Sequence, residues 1–161
     1  MALEVTFGLD LRGPRRFDEE EIDAFFDELA PEIRAEASQL YGFLRLRDGA
    51  GQQIELDDQI EALAINLCFK AVRALVDAPR CEVERFAFNG EIQLESEGEG
   101  LKITLEGRSF VAPREALLTA LYDAGARIGA LASRLELEGA RWLHEEAGPT
   151  RAALTRLTRG A

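Results

Sequence analysis

Histidine occurs once in this chain, and lysine and cysteine twice each. Each scarcity removes a class of chemistry. A zinc-type centre needs three or four converging ligands. His144 has only Glu145 and Glu146 beside it, and adjacent residues on a helix do not face one another. It reads as an exposed residue near a helix end. Cys68 and Cys81 form no CxxC pair and no disulfide framework. Cys68 sits in an apolar helical run, where a free thiol behaves as a small hydrophobe.

Catalytic fingerprints are missing too. There is no G-x-S-x-G elbow, no G-x-G-x-x-G and no P-loop. Gly98 and Gly100 stand among Glu95, Glu97 and Glu99, whose charge repels a phosphate. With 30 acidic residues some pair is always within reach, so no carboxylate dyad can be singled out. No catalytic residue, metal ligand set or cofactor site is assigned, and no motif points to a family. No apolar run approaches the roughly 20 residues of a membrane span. The opening MALEVTFGLD lacks a basic segment followed by an apolar core. A cytoplasmic protein without membrane contact is expected.

The two lysines are Lys70 and Lys102; the other basic residues are arginine, a bias that reads first as codon usage in a GC-rich genome. Net charge is −11 and the sequence pI is about 4.6. Such a polyanion is repelled by phosphate backbones and anionic lipid, so nucleic-acid binding is disfavoured.

What the chain has is clear periodicity. Leu3, Val5, Phe7, Leu9 and Leu11 alternate with polar residues and predict a half-buried strand, closed by Gly13-Pro14. Asp18 and Glu21 form a capping-box pattern before Ile22, Phe25, Phe26, Leu29 and Ile33, an apolar helical stripe. Pro31 either kinks that helix or ends it. Two strands, Tyr41 to Leu46 and Gln53 to Leu56, flank a glycine-bearing link. Asp57 or Asp58 is expected to cap the next helix, which runs to about Val76 and is apolar around most of its circumference. Asn89-Gly90 and Gly98-Glu99-Gly100 punctuate a three-stranded meander over 81–106, with Phe86 placed opposite Ile92. A long helix follows Pro113. Its Gly125 and Gly129, with Ala126 and Ala130, make a small-residue packing seam. Trp142 and Leu143 suggest a further helix, broken at Gly148-Pro149.

These readings predict one α+β domain over residues 1–148: an antiparallel sheet of five to six strands with helices packed mainly on one face. Residues 149–161 form a basic tail, a short helix or partly disordered. The expected core includes Leu3, Val5, Phe7, Phe25, Phe26, Leu63, Leu67, Val72, Ile103, Leu105, Leu117, Leu121 and Ile128.

Acidity is the one functional signal. From Phe17 to Glu36 nine acids face one base, Arg34. Glu20, Asp23 and Asp27 are like-charge neighbours at helical spacing, each pair costing roughly 0.2–0.5 kcal/mol. Glu95, Glu97 and Glu99 form a second cluster. Together they suggest a surface for a basic partner protein, of the kind that immunity proteins of bacterial toxins exemplify. The alternative is a small-molecule-binding domain or enzyme with a pocket between sheet and helices, where Arg45, Arg47 and Arg85 meet an anionic ligand. A homodimer through the Gly125/Gly129 helix is a further expectation.

Overall fold

The computed structural model describes residues 2–160. The strand at Glu4–Leu11 (β1) turns at Gly13 into Arg15–Asp18 (β2). Asp18 caps helix α1 (Glu19–Ala24) with the capping box to Glu21 in place. The chain breaks at Phe25 and resumes as α2 (Phe26–Ala35). β3 (Tyr41–Arg47) and β4 (Gln53–Gln59) complete an antiparallel sheet of order β2-β1-β3-β4. Helix α3 follows at once, beginning at Ile60–Ala62, continuing as a π-helical stretch over Leu63–Ala71 and ending at Val72–Leu75. The second half again holds four strands, here consecutive in the chain. β5 (Arg80–Glu84), β6 (Glu91–Glu97), β7 (Gly100–Leu105) and β8 (Arg108–Pro113) form a simple meander. α4 (Arg114–Arg134) and α5 (Ala140–Arg159) close the chain.

The α+β character is thus as expected, but the single sheet of five to six strands is not. There are two four-stranded antiparallel sheets. Two strands account for the difference. β2 has only four residues and no apolar alternation, and β8 buries just Phe110 and Ala112. The sheets meet where the Gln52 amide imitates a strand: its Oε1 accepts from Val111 N–H at 2.6 Å and its Nε2 donates to Val111 O at 2.9 Å.

The alternating apolar positions of both sheets face the helices. Val5, Phe7, Leu44, Leu56, Ile92, Ile103 and Phe110 are all buried with α3 in one core. α3 is buried on several sides, because α4 and α5 both pack on it. Gly125 permits the closest approach: a Cβ there would lie 2.6 Å from Cys68 Cβ and 2.9 Å from the Phe69 ring. Gly129 is looser, with Leu143 Cβ at 3.7 Å. The small-residue seam expected on α4 is therefore filled from within the chain, by α3 and α5.

Three local expectations change. The break in the first helix falls at Phe25, which is half exposed instead of buried, and Pro31 is accommodated inside α2. Pro149 likewise sits inside α5, which runs on to Arg159. Phe86 does not pair with Ile92; Val83 does. Residues 85–90 form a longer loop.

Candidate functional site

Asp57 and Asp58 carry the helix-cap signature, but β4 continues through both and their carboxylates serve the loop at 85–90 instead. Asp58, buried, accepts from Phe86 N–H at 2.8 Å and Ala87 N–H at 2.7 Å. Arg85 turns inward, its side chain 3% exposed. Its guanidinium donates to Asp57 Oδ1 at 2.6 Å, Glu106 Oε1 at 3.0 Å, and the carbonyls of Asp57 and Asn89. Asp57 belongs to the first sheet and Glu106 to the β7–β8 turn, so Arg85 ties the two sheets together. The loop so held turns Phe86 outward at 74% exposure and sets Phe88 against Tyr41, the rings tilted by 48° with centroids 6.0 Å apart.

Arg45, Arg47 and Arg85, the candidate anion-binding set, are each engaged within the chain. Arg45 pairs across β3–β4 with Glu55 at 3.1 Å, and Arg47 pairs with Glu4 at 3.1 Å. The first of these belongs to a lid over the outer face of the first sheet. Arg16 and Arg45 lie over the Phe43 ring at 4.0 and 5.0 Å from its centroid, and Arg16 also binds Asp10 and Glu55. The Asp10 hydrogen bond leads the causes that raise the Arg16 pKa above its ordinary value.

The acidic segment at the front of the chain is largely answered by the protein's own arginines. Glu19 binds Arg127, Asp23 binds Arg134 at 2.8 Å, Glu32 binds Arg15, and Glu36 lies 3.5 Å from Arg12. Asp18 and Glu21 are used in the capping box. Glu20, Asp27 and Glu28 are exposed and, among the described residues, make no ion pair.

The second cluster is different. Glu95, Glu97 and Glu99 are exposed and join a larger group that sequence reasoning missed. β5 places Glu82 and Glu84 on the outer face of the second sheet, beside Gln93 and Glu91 of β6. Glu84 stands directly opposite Glu91, in a non-hydrogen-bonded pair, where side chains come closest. Like charges so placed are destabilising by about 0.2–1 kcal/mol. Only Arg80 and Lys102 offer relief, and both are registered opposite the same residue, Glu95. Among the described residues, none of Glu82, Glu84, Glu91, Glu95, Glu97 and Glu99 forms an ion pair within 4.0 Å. The alternation Arg80-Cys81-Glu82-Val83-Glu84 ahead of Asn89-Gly90 was the available signal.

Other groups offer little chemistry. Burial raises the Cys68 thiol to about 12, and burial followed by the charge of Glu82 raises Cys81, so both are held away from the reactive thiolate. His144 Nε2 lies 3.1 Å from Ser133 Oγ, and Glu146 is paired with Arg73. Among the described residues no group of three His, Cys, Asp or Glu side chains is arranged to hold a metal, and no helix is long and apolar enough to cross a membrane. Comparison with protein-family models, curated proteins and solved structures finds no match for the chain.

Proposed function

We propose that this protein is an acidic binding module that neutralises or escorts a basic partner protein in the cytoplasm, as immunity-type inhibitors of bacterial toxins do. The observation that carries the reading is the outer face of the second sheet. Its carboxylates are held side by side by strand register, with Glu84 against Glu91, while the two bases registered on this face, Arg80 and Lys102, both stand opposite Glu95 and, among the described residues, make no ion pair. A merely solvated face has no need of a like-charge cross-strand pair; a face completed by a partner's cations does. Charge of this kind steers encounter and sets specificity more than it adds affinity. Glu95, Glu97 and Glu99 belong to this surface, extended by Glu82, Glu84 and Glu91. Glu20 and Asp27 form a secondary anionic site, whereas Asp23 reaches a partner only by leaving Arg134.

The test is capture of partners from the native cell at low and high salt, by the wild-type protein and by two charge-reversed variants. Glu84→Lys with Glu91→Lys is expected to abolish capture of a basic protein that wild type holds at low salt and releases at high salt. Glu20→Lys with Asp27→Lys is expected to weaken it only slightly. Equal capture by wild type and both variants would remove the reading.

A further inference from the structure

The free edge of the second sheet says how such a partner is held. β5 pairs only with β6, so its other side is open. Arg85 N–H donates to Gly90 O and Ser96 N–H to Pro79 O. In an antiparallel ladder these bonds recur at every second residue, which assigns Pro79, Cys81, Val83 and Arg85 to β6. The backbone groups of Arg80, Glu82 and Glu84 therefore point outward. Among the described residues, the one hydrogen bond to this row besides the ladder is a long one, from the Cys81 thiol to Glu82 O at 3.8 Å.

A groove of about 660 Å³ runs beside this edge, with Asn66, Lys70 and Ala74 of α3 on one wall and residues 81–86 on the other, Glu82, Glu84 and Arg85 included. Natural sheets cover or blunt an edge of this kind. One edge of the first sheet is so treated: β2 has four residues, and Arg15 and Arg16 are both tied into ion pairs. β5 is also short, five residues after Pro79, but among the described residues its Arg80, Glu82 and Glu84 make no ion pair, and the exposed Phe86 stands at its end as an apolar anchor.

Resting on the acidic-module reading, we infer that an extended basic segment of the partner protein adds to β5 as a fifth antiparallel or parallel strand. Its main chain bonds the outward groups of Glu82 and Glu84. Its alternate side chains divide by face. Basic residues lie over Glu82, Glu84 and Glu91, while small apolar residues enter the groove, whose only charged wall residue outside the strand and its loop, Lys70, repels a cation. Pairing main chain to an edge supplies affinity and the alternating side chains supply specificity. Charge complementarity selects this occupant over a second copy of the chain, which would bring another unrelieved set of carboxylates to the same face.

The probe is a seven-residue capped peptide alternating Lys and Val, added to the full chain and followed by amide hydrogen exchange and binding titration. Exchange at Glu82 and Glu84 is expected to slow at least tenfold, with no change when Glu replaces Lys in the peptide. Glu82→Pro removes an outward N–H and leaves the ladder to β6 intact; it is expected to weaken the peptide at least tenfold. A peptide N-methylated at every second residue tests the same bond on the unaltered protein and is expected to fail in one of its two registers. Peptide binding that leaves Glu82 and Glu84 exchange unchanged, but is lost in Glu84→Lys with Glu91→Lys, would overturn the strand addition and leave the acidic surface standing. Absence of binding in both peptide and cell-capture experiments would remove both. Concentration-dependent protection of Glu82 and Glu84 without peptide would replace the partner segment with a second copy.

Discussion

On the outer face of the first sheet, Asp10 and Glu55 share Arg16, Glu55 also takes Arg45, and Glu4 takes Arg47. The outer face of the second sheet carries Glu82, Glu84, Glu91 and Glu95 with no ion pair among them. Each half contributes a four-stranded antiparallel sheet, and both sheets bury one face against α3. Their exposed faces differ in whether the chain answers its own charges. Exposed ion pairs contribute little stability singly, but the first face also seals Phe43 beneath two guanidinium groups. It is complete as it stands. On the second face Glu84 stands against Glu91 with no ion pair to either among the described residues, and the two bases of that face, Arg80 and Lys102, both stand opposite Glu95. A strongly negative net charge is therefore a poor guide by itself; where the arginines are spent locates the surface left open.

The comparison holds only while the two halves are rigidly joined, and Arg85 is the sharpest way to break it. Arg85→Ala removes donors from Glu106, from the carboxylate and carbonyl of Asp57 in β4, and from the Asn89 carbonyl in the loop. The expected loss is about 3 kcal/mol, the low end for a broken buried ion pair, because both carboxylates keep access to water. Urea denaturation reads it. The β5–β6 loop should loosen before the first sheet does, seen as early exchange of the Phe86 and Ala87 amides.

The seam between the helices comes next. Gly125→Ala drives a methyl into Cys68 and Phe69 and is expected to cost about 1–3 kcal/mol, the range for overpacking a tight core. Gly129→Ala meets Leu143 at ordinary contact distance and gains helix propensity, so it should be neutral or stabilising by up to about 1 kcal/mol. Thermal melts of the pair decide the point; equal losses at both sites would show that the close approach at Gly125 is not what joins α3 to α4.

Much of this plan is legible in the sequence, and the exceptions have physical causes. β1, β6 and β7 announce themselves by period-two alternation, β3 and β4 by the glycine-bearing link between them, and α3 and α4 by their apolar spacing. β2 and β8 are too short of apolar residues to register. Asp57 and Asp58 precede an apolar run as helix caps do, yet β4 pairs through Gln59 and sends both carboxylates to a loop 28 residues away or more. The same tertiary capture turns Phe86 out of the hairpin. Glu95, Glu97 and Glu99 are visible as an acidic cluster. The opposition of Glu84 and Glu91 is not, because it depends on a register that Arg85 sets by ending the strand at Glu84. The front cluster misleads for the converse reason: Arg127 and Arg134, which answer Glu19 and Asp23, lie more than 100 residues away in the chain.

A smaller effect separates strain from solvation on the open face. Glu84→Gln relieves the opposition to Glu91 and is expected to stabilise the free protein by about 0.2–1 kcal/mol while weakening the partner. The gain should shrink in high salt, which screens exposed charges. A loss of stability in the melt would mean that Glu84 has an internal role, and the contrast between the two sheets would lose its best instance.

Glu61 offers the smallest and most discriminating test, since it too is an unanswered carboxylate but is turned inward. It lies in the first turn of α3, half-buried against Gly139, where a Cβ would come within 2.4 Å of Oε2. Burial, then the charge of Glu138, raises its pKa above the ordinary carboxylate value. The folded protein therefore holds this proton more tightly than the unfolded chain does. Its contribution to stability is fully present below the ordinary carboxylate range and is lost as pH rises through the raised value. Glu61→Gln is expected to stabilise the fold at neutral pH by a few tenths of a kcal/mol, on the order of 0.3 after solvent screening of its open side. The gap should close as pH falls below about 4. Melts at several pH values check the slope. An inward acid that strains the fold gives this pH-dependent gain without touching partner binding, whereas Glu84→Gln should gain stability and lose the partner together.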